Sequence, residues 1–119
     1  MDLIPGLEKH VRLILEQHTG QENAIERGEL LARVRWNIML VHTDDRQVRL
    51  AIESLREQGM LVCNLITGHG YYLAETMDEY QEFRRKYASY AVTIFERVRS
   101  MDAAAEKRWG YSVLQMPLI

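Results

Sequence analysis

Cysteine is nearly missing from this chain of 119 residues. Cys63 stands alone, so no internal disulfide can form, and its place in the apolar run "MLVCNLI" suits a buried, reduced thiol. Long apolar runs are missing too. No stretch approaches the ~18 residues needed to cross a bilayer, which excludes a membrane span. The opening "MDLIPGLEKH" has no basic segment followed by an apolar one, so nothing suggests export and the cytoplasm is the expected location. Metal and catalytic signatures are equally scarce. His10, His18, His42 and His69 show no two-ligand zinc spacing, and no P-loop, G-x-G-x-x-G or G-x-S-x-G motif occurs. The pair Asp44–Asp45 is explained by a helix start, where acids are favoured. No enzyme activity, metal or cofactor is therefore expected.

Excess positive charge is absent as well, with a net charge of −2 that argues against a polycationic nucleic-acid coat. The charge is uneven: Asp2, Glu8, Glu16, Glu22 and Glu26 face only Lys9 and Arg12 up to residue 26, and the rest of the chain is slightly basic. Of the 15 cationic residues only Lys9, Lys86 and Lys107 are lysines. Arginine is the better residue for forked contacts to phosphate or guanine, and it suits intramolecular ion pairs equally. A local nucleic-acid face is permitted, not demanded.

What is present is helical periodicity. Leu7, Val11, Ile14, Leu15 and His18 recur at helical spacing behind Pro5, until Thr19 and Gly20 break the run. After a polar link in which "NAIE" could make a very short strand, "GELLARVRWNIM" places Leu30, Leu31, Val34 and Ile38 on one face and predicts a second helix of about three turns. The third helix begins at Asp44, with Gln47 completing a capping box and Thr43 an alternative cap, and Gly59 is placed to end it. Val48, Ala51, Ile52 and Leu55 share its inward arc, while Arg46, Leu50, Glu53 and Glu57 lie opposite, flanked by Gln47 and Arg49. "MLVCNLI", "TGHG" and "YYLA" then read as a β-hairpin.

Thr76 with Glu79 caps a final helix expected to run from Met77 to about Lys107. Tyr80, Phe83, Tyr87, Tyr90, Ile94, Val98, Met101 and Ala105 follow at steps of three and four. Such a helix is roughly 45 Å long, whereas the ~75 residues before it make a globule only about 25 to 30 Å across. Part of the apolar stripe therefore needs another surface. A second copy of the chain is the simplest supplier, with Tyr87, Tyr90, Ile94, Val98 and Met101 as the dimerisation residues. The tail "GYSVLQMPLI" is mostly apolar and is expected to pack along a partner's helix or add a strand.

The stretch "DDRQVRLAIESLREQGMLV" followed by "GHGYYLA" resembles a winged helix-turn-helix pattern common in small bacterial, archaeal and phage proteins. There a capped "DRxVR" helix ends in "LRxxG" and leads to a strand, a short wing and "GYY". The resemblance covers about residues 7 to 75, and "MDEYQEFRRKYASYAVTIFERV" resembles the long helix that often follows such domains. It implies a mostly α fold with a small β-hairpin (α+β), divided into a winged-helix domain over residues 1–75, a long dimerisation helix over 76–109 and an apolar tail over 110–119.

A recognition helix needs an apolar face to anchor it and polar side chains near its N-terminus, where it meets base edges and the positive end of its dipole meets phosphate. Carried over by position, Arg46 is the main candidate for a base-edge contact, Arg49 for a base or phosphate, Thr43 for a phosphate, and Leu50 for a thymine methyl. Gln47 is ambiguous, because a residue in a capping box is not free to reach adenine. Arg33 and Arg35 are placed for backbone phosphates, and Thr67 and His69 for the backbone or a minor groove. The competing reading pairs Arg46 and Arg49 with Glu53 and Glu57 on their own helix, a solvated face. Arg56 reads as structural.

Two functions remain open. One is double-stranded DNA binding by a homodimer, as a transcriptional regulator or a phage or mobile-element DNA-maintenance factor. The other is a winged-helix module that binds protein. The arginines near the helix start favour the first; Glu53, Glu57 and a wing, "NLITGHG", without lysine or arginine favour the second.

Overall fold

The computed structural model describes residues 4–65, 67–110 and 112. The chain divides into two compact units, Met1–Phe83 and Arg84–Ile119. In the first, helix α1 (Leu7–Leu15) buries Leu7, Val11, Ile14 and Leu15, the apolar positions of its helical repeat. The link "NAIE" supplies strand β1 (Ile25–Glu26), and helix α2 (Arg27–Arg35) follows directly, burying Leu30 and Val34.

Helix α2 ends sooner than its apolar spacing predicts. Asn37 adopts an extended conformation, and its side-chain oxygen accepts a hydrogen bond from the Met39 N–H at 3.0 Å, starting a separate 3-10 turn over Ile38–Leu40. This local bond competes with continued helix, as asparagine side chains commonly do. Leu40 becomes the buried residue of the turn, and Ile38, expected on the inner face, is 82% exposed.

Helix α3 (Asp45–Glu57) matches its expected start and end. The Asp44 carboxylate accepts from the Gln47 N–H at 2.9 Å, and the Gln47 side chain accepts from the Asp44 N–H at 3.0 Å, so two otherwise unpaired amide donors are satisfied reciprocally. At the other end Gly59 takes φ +93°, while Met60 N–H reaches the Leu55 carbonyl and Gly59 N–H that of Arg56. A left-handed residue with these two bonds closes the helix, and glycine adopts it without a Cβ penalty. Val48, Ala51, Ile52 and Leu55 are all buried; each of the larger three contributes about 1.5–3 kcal/mol by leaving water. Helices α1, α2 and α3 pack on one another around this core.

Strands β2 (Val62–Asn64) and β3 (Gly70–Leu73) form the expected hairpin, and β1 adds to its outer edge, giving an antiparallel sheet of order β1-β3-β2. Ile25 and Asn64 both stand opposite Tyr71, and Cys63 opposite Tyr72. Since side chains alternate across a strand, Tyr71 and Val62 join the helical core while Cys63 and Tyr72 occupy the other face. Both are buried there: the Cys63 thiol is pushed up to about 11 and the Tyr72 hydroxyl to about 12 by loss of water. Gly70 has no room for a side chain, because a Cβ would lie 2.9 Å from the Ile25 carbonyl oxygen.

Helix α4 spans Met77–Trp109, 33 residues or about 50 Å. The Thr76 hydroxyl accepts from the Glu79 N–H as expected, but the Glu79 carboxylate turns elsewhere, accepting from the backbone of Glu75 at 2.8 Å and of Gln21 at 2.9 Å. Those two bonds hold the carboxyl below the ordinary glutamate range. No residue of α4 is buried. Of the apolar tail predicted over 110–119, all but Gly110 and Ser112 lies outside the described residues.

Candidate nucleic-acid interface

The first turn of α3 carries the residues on which the DNA reading turns. Asp45, its first residue, sits between two guanidinium groups, with Arg27 at 2.7 Å and Arg49 at 3.3 Å. The hydrogen bond and charge of Asp45 push Arg27 above its ordinary value. The competing pairing within α3, of Arg46 and Arg49 with Glu53 and Glu57, does not form among the described residues. Asp45 lies one turn before Arg49 on the same face and is steadied by Arg27, which makes it the nearer partner. Arg46 is exposed and makes no ion pair or hydrogen bond among the described residues. Leu50 is half-buried beside it, and Gln47 keeps its amide nitrogen while its oxygen serves the capping box.

Thr43 requires a correction. It was placed against phosphate, yet its side chain is fully buried and its hydroxyl has no hydrogen-bond partner among the described residues. The chain turns inward here because Thr43 N–H bonds to the Leu40 carbonyl and its own carbonyl accepts from Arg35 Nε at 2.7 Å. Arg35 therefore holds the loop before α3, and Arg33 pairs with Glu29 at 3.1 Å. Both keep donors in reserve, but neither guanidinium is uncommitted.

In the turn between β2 and β3, Thr67 and His69 are exposed, with the Thr67 hydroxyl accepting from the His69 N–H at 3.4 Å. The His69 carbonyl accepts from the Arg27 N–H, bringing the base of this turn to the start of α2. An open depression of about 540 Å³ results, lined by Glu26, Arg27, Gly28, Asp45 and His69. Any anion near His69 thus meets two carboxylates as well as Arg27. Arg56 is structural as expected: its Nε donates to the Val62 carbonyl at 2.9 Å, and its guanidinium lies 5.0 Å from the Phe83 ring centre.

In the second unit, Tyr87, Tyr90, Ile94 and Met101 of α4 are exposed and Val98 is half-exposed, all on one side by their spacing.

One apolar group escaped the sequence reading. Trp36, Ile38 and Met39, between α2 and α3, are 84%, 82% and 82% exposed. The available signal was Asn37, a turn-former inside the apparently helical "RWNIML". Among the described residues no His/Cys/Asp/Glu cluster is arranged to hold a metal ion, and no helix is long and apolar enough to cross a membrane. No protein-family model, curated protein or solved structure matches this chain.

Proposed function

We propose that the chain is a winged helix-turn-helix protein that binds double-stranded DNA as a homodimer, working in the cytoplasm as a transcriptional regulator or a phage-type DNA-maintenance factor and catalysing no reaction of its own. The element order α1-β1-α2-α3-β2-β3 and the sheet order β1-β3-β2 support this reading. The observation that carries it is Arg46: an exposed guanidinium without a partner among the described residues, in the first turn of a helix whose opposite face is locked into the core. A helix held in this way can enter a major groove N-terminus first.

In this reading Arg46 contacts a base edge and Leu50 a thymine methyl, while Arg49 exchanges Asp45 for a base or phosphate. The Gln47 amide nitrogen, Arg33, Arg35, Thr67 and His69 supply supporting contacts; Thr43 supplies none. The exposed stripe Tyr87, Tyr90, Ile94, Val98 and Met101 joins two copies, so the site recognised has two-fold symmetry with half-sites about one helical turn, or a multiple, apart. Binding to random duplex DNA should weaken steeply between about 50 and 200 mM salt, and Arg46→Ala with Arg49→Ala should reduce it. No binding even at about 50 mM salt overturns the reading.

A protein-binding module is the second reading, and the exposed Trp36, Ile38 and Met39 favour it, because solvated apolar clusters of this kind commonly mark protein contacts. Absence of duplex binding by the wild type at about 50 mM salt, together with a protein partner whose binding Trp36→Ala abolishes, would select it.

A further inference from the structure

The boundary between the two units divides the charge of the chain sharply. Seven of the 15 cationic residues, but only Glu96, Asp102 and Glu106 of the 17 acids, lie in Arg84–Ile119. That unit carries +4, and Met1–Phe83, which contains α3, is left with −6, together the −2 of the chain. A polyanion approaching α3 alone meets net repulsion. The attraction resides elsewhere.

We propose that the C-terminal part of α4, from Arg84 onward, is the principal contact of this protein with the phosphate backbone of duplex DNA, an inference that rests on the DNA-binding reading above. Arg84, Arg85, Arg97, Arg99 and Lys107 are exposed and form no ion pair among the described residues. Arg108 lies over the Trp109 ring at 5.2 Å, which leaves its guanidinium edge available. Lys86, Arg97 and Arg108 recur every eleven residues, so successive members are turned by only about 20° and form a row along one side.

From Arg84 to Arg108 the helix rises roughly 36 Å, close to one turn of B-DNA at about 34–36 Å. Over that length a duplex presents about 20 phosphates, one per ~1.7 Å. The acids of Met1–Phe83 are spread over a folded surface and offer no comparable density, so charge complementarity favours nucleic acid over the acidic unit of another copy. The apolar stripe beside the cationic row is the surface suited to a second chain. Pairing two copies through it gathers +8 on the two segments from Arg84 onward, a field that attracts DNA and that bound phosphate would in turn neutralise.

The test uses the full chain carrying Lys86→Gln, Arg97→Gln and Arg108→Gln, the row along one side, since glutamine keeps helix propensity close to that of arginine and lysine. Binding to a random duplex of about 20 base pairs, roughly two helical turns, is followed by fluorescence anisotropy between about 50 and 200 mM salt. The expected result is an affinity at least about tenfold weaker at the lower salt, and a logarithmic salt slope reduced by ~0.9 per lost phosphate contact, up to about 2.7 for three. Arg97→Lys with Arg108→Lys, Lys86 being kept, should retain both. Wild-type affinity and slope in the glutamine variant overturn the inference; if Arg46→Ala with Arg49→Ala still weakens binding, the DNA reading survives. Absence of binding by the wild type removes both. If the glutamine variant instead dissociates into monomers without DNA, as read by sedimentation, the cations serve association between copies and the inference fails.

Discussion

Asp45→Asn removes the carboxylate shared by Arg27 and Arg49 and leaves a side chain of the same shape. Both ion pairs are partly solvated, with Asp45 35% exposed, Arg27 40% and Arg49 56%, so after solvent screening each contributes only about 0.2–0.5 kcal/mol. Loss of a negative charge from the first turn of α3 costs a further ~0.3–1 kcal/mol through the helix dipole. The fold should therefore lose about 1 kcal/mol, a fall in melting temperature of about 4–8 °C for a domain of this size. Binding should move the other way. A unit charge about 6 Å from an arginine is worth roughly 0.7 kcal/mol in water, about threefold in affinity, and Arg49 no longer gives up a carboxylate to reach the DNA. Anisotropy at about 50 mM salt should show DNA bound three- to tenfold more tightly. A variant that melts lower and binds no better, or worse, refutes the reasoning that Asp45 competes with phosphate for Arg49.

Thr43→Val should be neutral or stabilise the fold by about 1 kcal/mol, because it removes a buried hydroxyl that has no partner among the described residues, and it should leave DNA affinity unchanged; urea unfolding and anisotropy check the two halves. Glu79→Gln should destabilise the chain near neutral pH. The folded carboxyl lies below its ordinary value of 4.5, so its contribution is present above that value and is lost as pH falls through the folded value. Denaturant unfolding should thus show the gap between variant and wild type closing as the pH falls below the ordinary carboxylate range, and a gap that does not shrink on acidification contradicts the assignment. Ile94→Asp with Met101→Asp should convert dimer to monomer in sedimentation; an unchanged mass would exclude the α4 stripe as the interface.

Legibility in the sequence followed the range of the interactions. Helix α3 was readable from end to end because its determinants are local: the Asp44–Gln47 box, four inward residues at helical spacing, and a glycine at the left-handed position. The hairpin and the Thr76 half of the α4 cap were readable for the same reason, while the Glu79 carboxylate goes to the backbone of Glu75 and of distant Gln21. The end of α2 was not, since Leu30, Val34 and Ile38 continue a helical period that the Asn37 side chain interrupts. The site was only half legible. Spacing places Arg46 and Arg49 on the outer face, but the pairing of Arg49 with Asp45, supported by Arg27 across the fold, depends on α2 meeting α3. The burial of Thr43 depends likewise on the Arg35 bond to its carbonyl, which no local pattern announces.

Backbone amide NMR shifts of the full chain, titrated with duplex DNA at low salt, test the central claim most directly. Binding through α3 predicts clear changes at Arg46, Gln47, Arg49 and Leu50, beside those along α4 from Arg84 onward, with smaller ones at Thr67 and His69. Changes confined to residues 36–41, or none at all with DNA in excess, would contradict it.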